Sequence, residues 1–186
     1  MSPSRIPRRG LLVIDMQHGL FNGTRRPYRA DEVLANINAL IGRAHAAGAP
    51  VFAARHVGPA GTPLASDSPL SQLLAELAID PARDTVFEKT RPNCFFNTGL
   101  AERLAKAGVE ELVIVGMKTD FCVDTTSRVA RDLGFAAMLV ADAHTTTDSP
   151  VLEAQRIVDH HNATLGGAFV SLVASADCTF AADGLG

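Results

Sequence analysis

The chain has 186 residues, of which 47% are apolar and 20% charged, and its formal net charge is −3. This profile suits one globular domain spanning 1–186, large enough to bury a core without metal or disulfides. A mildly acidic chain offers no broad basic face for nucleic acid, and no apolar run reaches membrane-span length.

The basic start, with Arg5, Arg8 and Arg9, precedes the apolar run LLVI, which Asp15 cuts short. No signal-peptide core forms there despite the arginine pair, so a cytoplasmic location is expected. A second cluster, Arg25 and Arg26, reads with the first as solvated ends and loops. Strands are expected at 11–15, 50–56, 84–89, 111–116, 136–142 and 168–175, where short apolar runs recur, most of them continuous rather than alternating. Helices are expected between them at 31–47, 70–78, 98–107, 122–133 and 149–163. Gly48, Gly108 and Gly134 stand where helix C-termini need a left-handed residue. This alternation implies a doubly wound, three-layer α/β/α domain with right-handed crossovers. The long loop 57–69 is placed to cover a site.

In such a sheet, ligands bind beyond the carboxyl ends of the strands. Asp15 closes the first strand, His56 the second, Lys89 the third and Asp142 the fifth, while Cys122 follows the fourth. Cys122 opens a helical stripe formed by Val123, Thr126, Ala130 and Leu133. A helix start and a nearby ammonium both favour a thiolate, and a carboxylate can take the thiol proton. Taken singly, each residue also has a structural reading: a packed thiol, a cap and a surface lysine. Together they form a chemical set.

The segments LLVIDMQHGLF, FEKTRPNCFFNTGL, GMKTDFCVDTTSRVARDLGF and ADAHTTT occur in the order seen in the isochorismatase-like cysteine hydrolases, which this chain resembles over nearly its whole length. The resemblance implies a six-stranded parallel sheet, a homo-oligomer and an Asp15–Lys89–Cys122 triad. It also implies a cis peptide between Met117 and Lys118, so that the Lys118 and Cys122 main-chain N–H groups form an oxyanion hole. Nicotinamidases in this family carry an Asp-x-His pair and a further histidine that bind metal. Here ARHVGPAG offers only His56, so neither a metal nor another cofactor is expected. Lys118 stands where the family more often has a small or apolar residue.

Cys94 is a rival thiol without a following helix start, and Cys178 reads as incidental. Phe21 and Phe95 are candidates for a substrate pocket, His56 for a substrate contact, and Arg91 for clasping a substrate carboxylate. Asp142 and His144 read as supports of the loop after the fifth strand. His160 and His161 are adjacent on an expected helix, where neighbours are expected to point different ways, which argues against a metal site. The expected activity is hydrolysis of a C–N bond in a small amide, carbamoyl or ureido compound through a thioester. Vinyl ether hydrolysis and a non-catalytic binding domain are the alternatives.

Overall fold

The computed structural model describes residues 7–180; Arg5 lies outside them. Six strands form one parallel sheet: β1 Arg9–Ile14, β2 Val51–His56, β3 Thr85–Lys89, β4 Glu111–Met117, β5 Ala136–Thr145 and β6 Ser171–Val173. Their spatial order is β3-β2-β1-β4-β5-β6, with every pairing parallel. The chain winds outward from β1 through β2 to β3, then returns to the other side of β1 at β4. That reversal opens a crevice between the carboxyl ends of β1 and β4.

Alternate residues of the inner strands feed two cores. Leu11, Val13, Val113, Val115 and Val140 pack with Ile37, Leu40 and Ile41 of α2 (Ala30–Ala46). Leu12, Ile14, Ile114 and Leu139 face the opposite layer. There they meet Leu104 of α3 (Leu100–Lys106), Ala130 of α4 (Asp124–Asp132) and Leu165 of α5 (Ala154–Leu165). Burial on both faces is why the inner strands read as continuous apolar runs. No helix among the described residues is long and apolar enough to cross a membrane.

The helix expected at 70–78 does not form. Ser68 caps a single 3-10 turn, Pro69–Ser71, by accepting from the Leu70 N–H at 3.2 Å. Gln72 is then extended, and the chain bridges back to the segment after β1: Leu74 N–H donates to Met16 O at 2.9 Å. Leu74 and Leu77 are buried in the α2-side core by this route, so tertiary pairing replaces the helix. A short helix that the pattern did not reveal, α1 (His18–Phe21), follows β1. The basic clusters are partly paired: Arg9 with Glu111 at 2.7 Å, and Arg26 with Asp31.

Gly116 makes the closest backbone approach of the described glycines. Its φ is +116°, and a Cβ there would lie 2.1 Å from the carbonyl oxygen of Ile14, so β1 and β4 can adjoin at this level only through glycine.

Candidate active site

Three strand ends deliver the central groups. Asp15 follows β1 in a left-handed conformation (φ +52°) and is fully buried. Lys89 ends β3 directly beside His56, its register partner at the end of β2. Lys118 follows β4 across a cis Met117–Lys118 peptide. The chain then makes a π-helical turn, Thr119–Val123, before α4 begins at Asp124. Cys122 lies in that turn. Its geometry is fixed at both ends, since Lys118 O accepts from the Phe121 and Val123 N–H groups, each at 3.1 Å.

The groups converge on the lysine. Lys89 Nζ lies 2.7 Å from Asp15 Oδ2, and both side chains are fully shielded from solvent. It also lies 3.3 Å from Cys122 Sγ, 3.3 Å from His56 Nδ1 and 3.2 Å from Arg91 O. Donation to Nδ1 leaves His56 neutral with its remaining proton on Nε2. Burial and the adjacent ammonium both lower its pKa. Asp15 Oδ1 has no hydrogen-bond partner among the described residues.

Burial raises the Asp15 carboxyl above its ordinary range, and the Lys89 ammonium only partly offsets this. For Lys89 itself, burial opposes the charge, but Asp15 and the two nearby thiols outweigh it and the pKa rises. Burial and the Asp15 carboxylate push the Cys122 thiol up to about 12. This corrects the expected thiolate. The cysteine is itself largely covered and faces an acid, and those two effects exceed the help from Lys89. At neutral pH the thiol keeps its proton and needs a base, and Asp15, with a carboxylate oxygen within 4.8 Å of the sulfur, is the carboxylate at hand.

A cavity of about 270 Å³ opens onto these groups, lined by Asp15, His56, Lys118 and Cys122 with Leu20, Leu64, Pro92 and Phe121. Two candidate residues lie elsewhere. Phe21 is 4% exposed and packs into the α2-side core, because α1 turns Leu20, not Phe21, toward the cavity. Phe95 stacks on Phe135, with ring centroids 5.7 Å apart. Arg91 lines a neighbouring cavity that shares His56, and its carbonyl rather than its guanidinium reaches Lys89. The missed wall residues Leu64 and Phe121 left only slight signals: one an apolar residue in the covering loop, the other an aromatic beside the cysteine.

Cys94 and Cys178 are both fully buried. Burial holds the Cys94 thiol at about 12. Ligand atoms of Asp15, His56 and Cys122 lie within 4.8 Å of one another, close enough to suggest a metal site. But the Lys89 ammonium stands within 3.3 Å of all three, so the cation these donors serve is already part of the chain. The arrangement does not fit a metal ion. His144 supports the turn from behind: Nδ1 lies 2.9 Å from Thr119 Oγ1, and Nε2 lies 2.9 Å from Asn162 Oδ1. Asp142 likewise holds structure, accepting from Ser175 N and Oγ at 2.7 Å each.

Fold and site together define a doubly wound α/β domain with an acid, a lysine and a thiol at its switch point. The chain belongs to the isochorismatase family, whose domain model matches residues 9–170. It is 37% identical over 141 residues to a streptothricin hydrolase of Streptomyces noursei, covering 75% of this chain but 50% of that protein. Nicotinamidase 3 of Arabidopsis thaliana is 31% identical over 159 residues, covering 77% of this chain and 76% of that protein. The crystal structure of an isochorismatase family protein superposes with a TM-score of 0.84 at 34% identity, covering 90% of this chain and 98% of that one.

Proposed function

We propose that this protein is a cysteine hydrolase that cleaves a C–N bond in a small amide, carbamoyl or ureido compound, using Asp15, Lys89 and Cys122 and no metal. The observation that carries the reading is that Asp15 and Cys122 line one cavity with the buried Lys89 between them, its Nζ 3.3 Å from Cys122 Sγ and 2.7 Å from Asp15 Oδ2. Two related proteins, named as a nicotinamidase and a streptothricin hydrolase, support hydrolytic chemistry on this fold.

In this mechanism Asp15 takes the Cys122 proton as Sγ attacks the substrate carbonyl. The S–C bond forms and the carbonyl oxygen becomes an oxyanion. It is held by main-chain N–H groups of Lys118 and Cys122, which stand at the start of a helical segment where amides lack partners within the helix. Collapse breaks the C–N bond, and Asp15 returns its proton to the leaving nitrogen. A water then gives a proton to Asp15 and attacks the thioester. The acid product leaves, and the proton passes from Asp15 back to sulfur. Lys89 keeps its proton throughout and balances whichever neighbour is anionic. The bound product and substrate are small molecules, and a homo-oligomeric state belongs to the same proposal.

The raised Asp15 carboxyl also favours a second reading, in which a protonated Asp15 acts as the acid in vinyl ether hydrolysis. The test is a screen of amides, ureides and isochorismate for ammonia or pyruvate release, followed by mass analysis of quenched turnover. An acyl adduct on Cys122, lost in Cys122→Ala together with activity, is expected. Full activity of Cys122→Ala would overturn the thioester route and favour the acid-only reaction.

A further inference from the structure

The cavity has one cation whose charge nothing in the triad uses. Lys89 is matched by Asp15 at 2.7 Å, and His56 is held neutral by the same lysine. Lys118 also lines the cavity, yet no salt bridge among the described residues engages it. Its Nζ donates to a neutral partner, Thr147 Oγ1, at 3.3 Å. Asp120, two residues on, does not line the cavity and accepts from Thr146 Oγ1 at 2.6 Å. The triad pair is electrically balanced, which leaves the Lys118 ammonium as the unmatched charge on a residue of the cavity wall.

We propose that the Lys118 ammonium, steadied by Thr147 Oγ1, binds an anionic group on the substrate, so that the preferred substrate is a small amide or ureide carrying a carboxylate beyond an apolar spacer. The inference rests on the cysteine-hydrolase reading and deepens it. Three features shape the ligand. The ammonium can give a charge-assisted hydrogen bond to a carboxylate, while Thr147, which does not line the cavity, accepts from it and limits its swing. Leu20, Leu64, Pro92 and Phe121 supply an apolar wall that lowers the local dielectric and strengthens the attraction. The cavity, at about 270 Å³, falls just below the ordinary range of ligand pockets and limits the body of the ligand.

The main chain makes the subsite a measuring device as well as a charge. Lys118 O is tied to the N–H groups of Phe121 and Val123, so the root of its side chain and Cys122 belong to one hydrogen-bonded turn. A substrate whose carboxylate reaches Lys118 therefore has its carbonyl placed relative to sulfur by its spacer length. This orientation lowers the barrier for a matched substrate and not for a shorter or neutral one.

The experiment compares alkylation of Cys122 in the full chain by matched neutral and anionic reagents: iodoacetamide against iodoacetate, and N-ethylmaleimide against 3-maleimidopropionate. Rates at Cys122 are read by peptide mapping and normalised to a free cysteine peptide. The parent protein should favour at least one anionic member relative to the peptide, and 0.5 M salt should weaken that preference. Lys118→Gln should lower the anionic-to-neutral ratio about fivefold or more, while Lys118→Arg, which keeps the charge, retains most of it. A ratio within twofold of the parent in Lys118→Gln overturns the subsite, and so does a parent preference that high salt leaves untouched. If neutral reagents label Cys122 no faster than Cys94 and Cys178, the cysteine-hydrolase reading falls, and this subsite with it. Normal labelling without charge preference removes the subsite alone.

Discussion

Replacing Lys89 by methionine keeps most of the side-chain volume but deletes the charge paired with Asp15 at 2.7 Å. Both side chains are shielded from solvent, so no water replaces the lost partner. Breaking a buried pair from one side costs about 3–5 kcal/mol, because an uncompensated charge stays inside. Against a typical domain stability of about 5–15 kcal/mol, the variant should fold but with a clearly lowered urea midpoint. The loss should depend on pH in a direction the site dictates. Asp15 already binds its proton more tightly when folded than the ordinary value of 3.8, and losing Lys89 raises it further. A group that holds its proton more tightly in the folded state loses stability as pH rises. The deficit should therefore be small in acid, where both proteins carry a protonated Asp15. It should widen by up to about 1.4 kcal/mol per pH unit once pH passes the raised Asp15 value of the parent. Adding Asp15→Asn should recover part of it, because an amide can stay in the cavity uncharged. Urea denaturation of parent, single and double variants across pH gives all four terms. A Lys89→Met loss below about 1 kcal/mol that does not change with pH would refute the buried-pair reasoning.

Asp15→Asn should abolish turnover yet speed alkylation of Cys122 above neutral pH, since it removes the carboxylate that helps hold the thiol at about 12; slower alkylation than in the parent would contradict that assignment. Cys94 and Cys178 should stay unlabelled in the folded protein, both being fully buried, and peptide mapping checks this directly. Gly116→Ala should cost about 4 kcal/mol or more or prevent folding, because its Cβ would meet Ile14 backbone atoms at 2.1–2.9 Å and its φ of +116° suits no side chain; a stable, soluble variant with a parent-like midpoint would count against the close approach. His144 is pushed down to about 4 by burial, so folded protein resists protonating it and parent stability should rise with pH between about 4 and 6.5. His144→Gln should flatten that slope by up to about 1.4 kcal/mol per pH unit in the same urea series, and an unchanged slope would place the titration elsewhere.

What the sequence determined by itself was the local frame. Short apolar runs located all six strands, and glycines 48, 108 and 134 marked helix ends that do adopt positive φ. These signals are short-range: strand burial on both faces and left-handed caps are written within a few residues. Asp15, Lys89 and Cys122 were legible because a doubly wound sheet puts strand ends at its site whatever the exact packing.

The tertiary structure decided the rest. The apolar pattern at 70–78 suggested a helix, but pairing with Met16 and Gln17, far away in sequence, drew that segment out straight. Phe21 and Leu20 are adjacent and chemically alike, and only the turn of α1 sends one to the core and the other to the cavity. The thiol's proton was beyond sequence reasoning for the same cause. A helix start and a lysine argue for a thiolate, yet the affinity depends on burial and on an acid 107 positions earlier in the chain. Charge is a property of surroundings, and surroundings exist only once β1, β3 and β4 lie side by side.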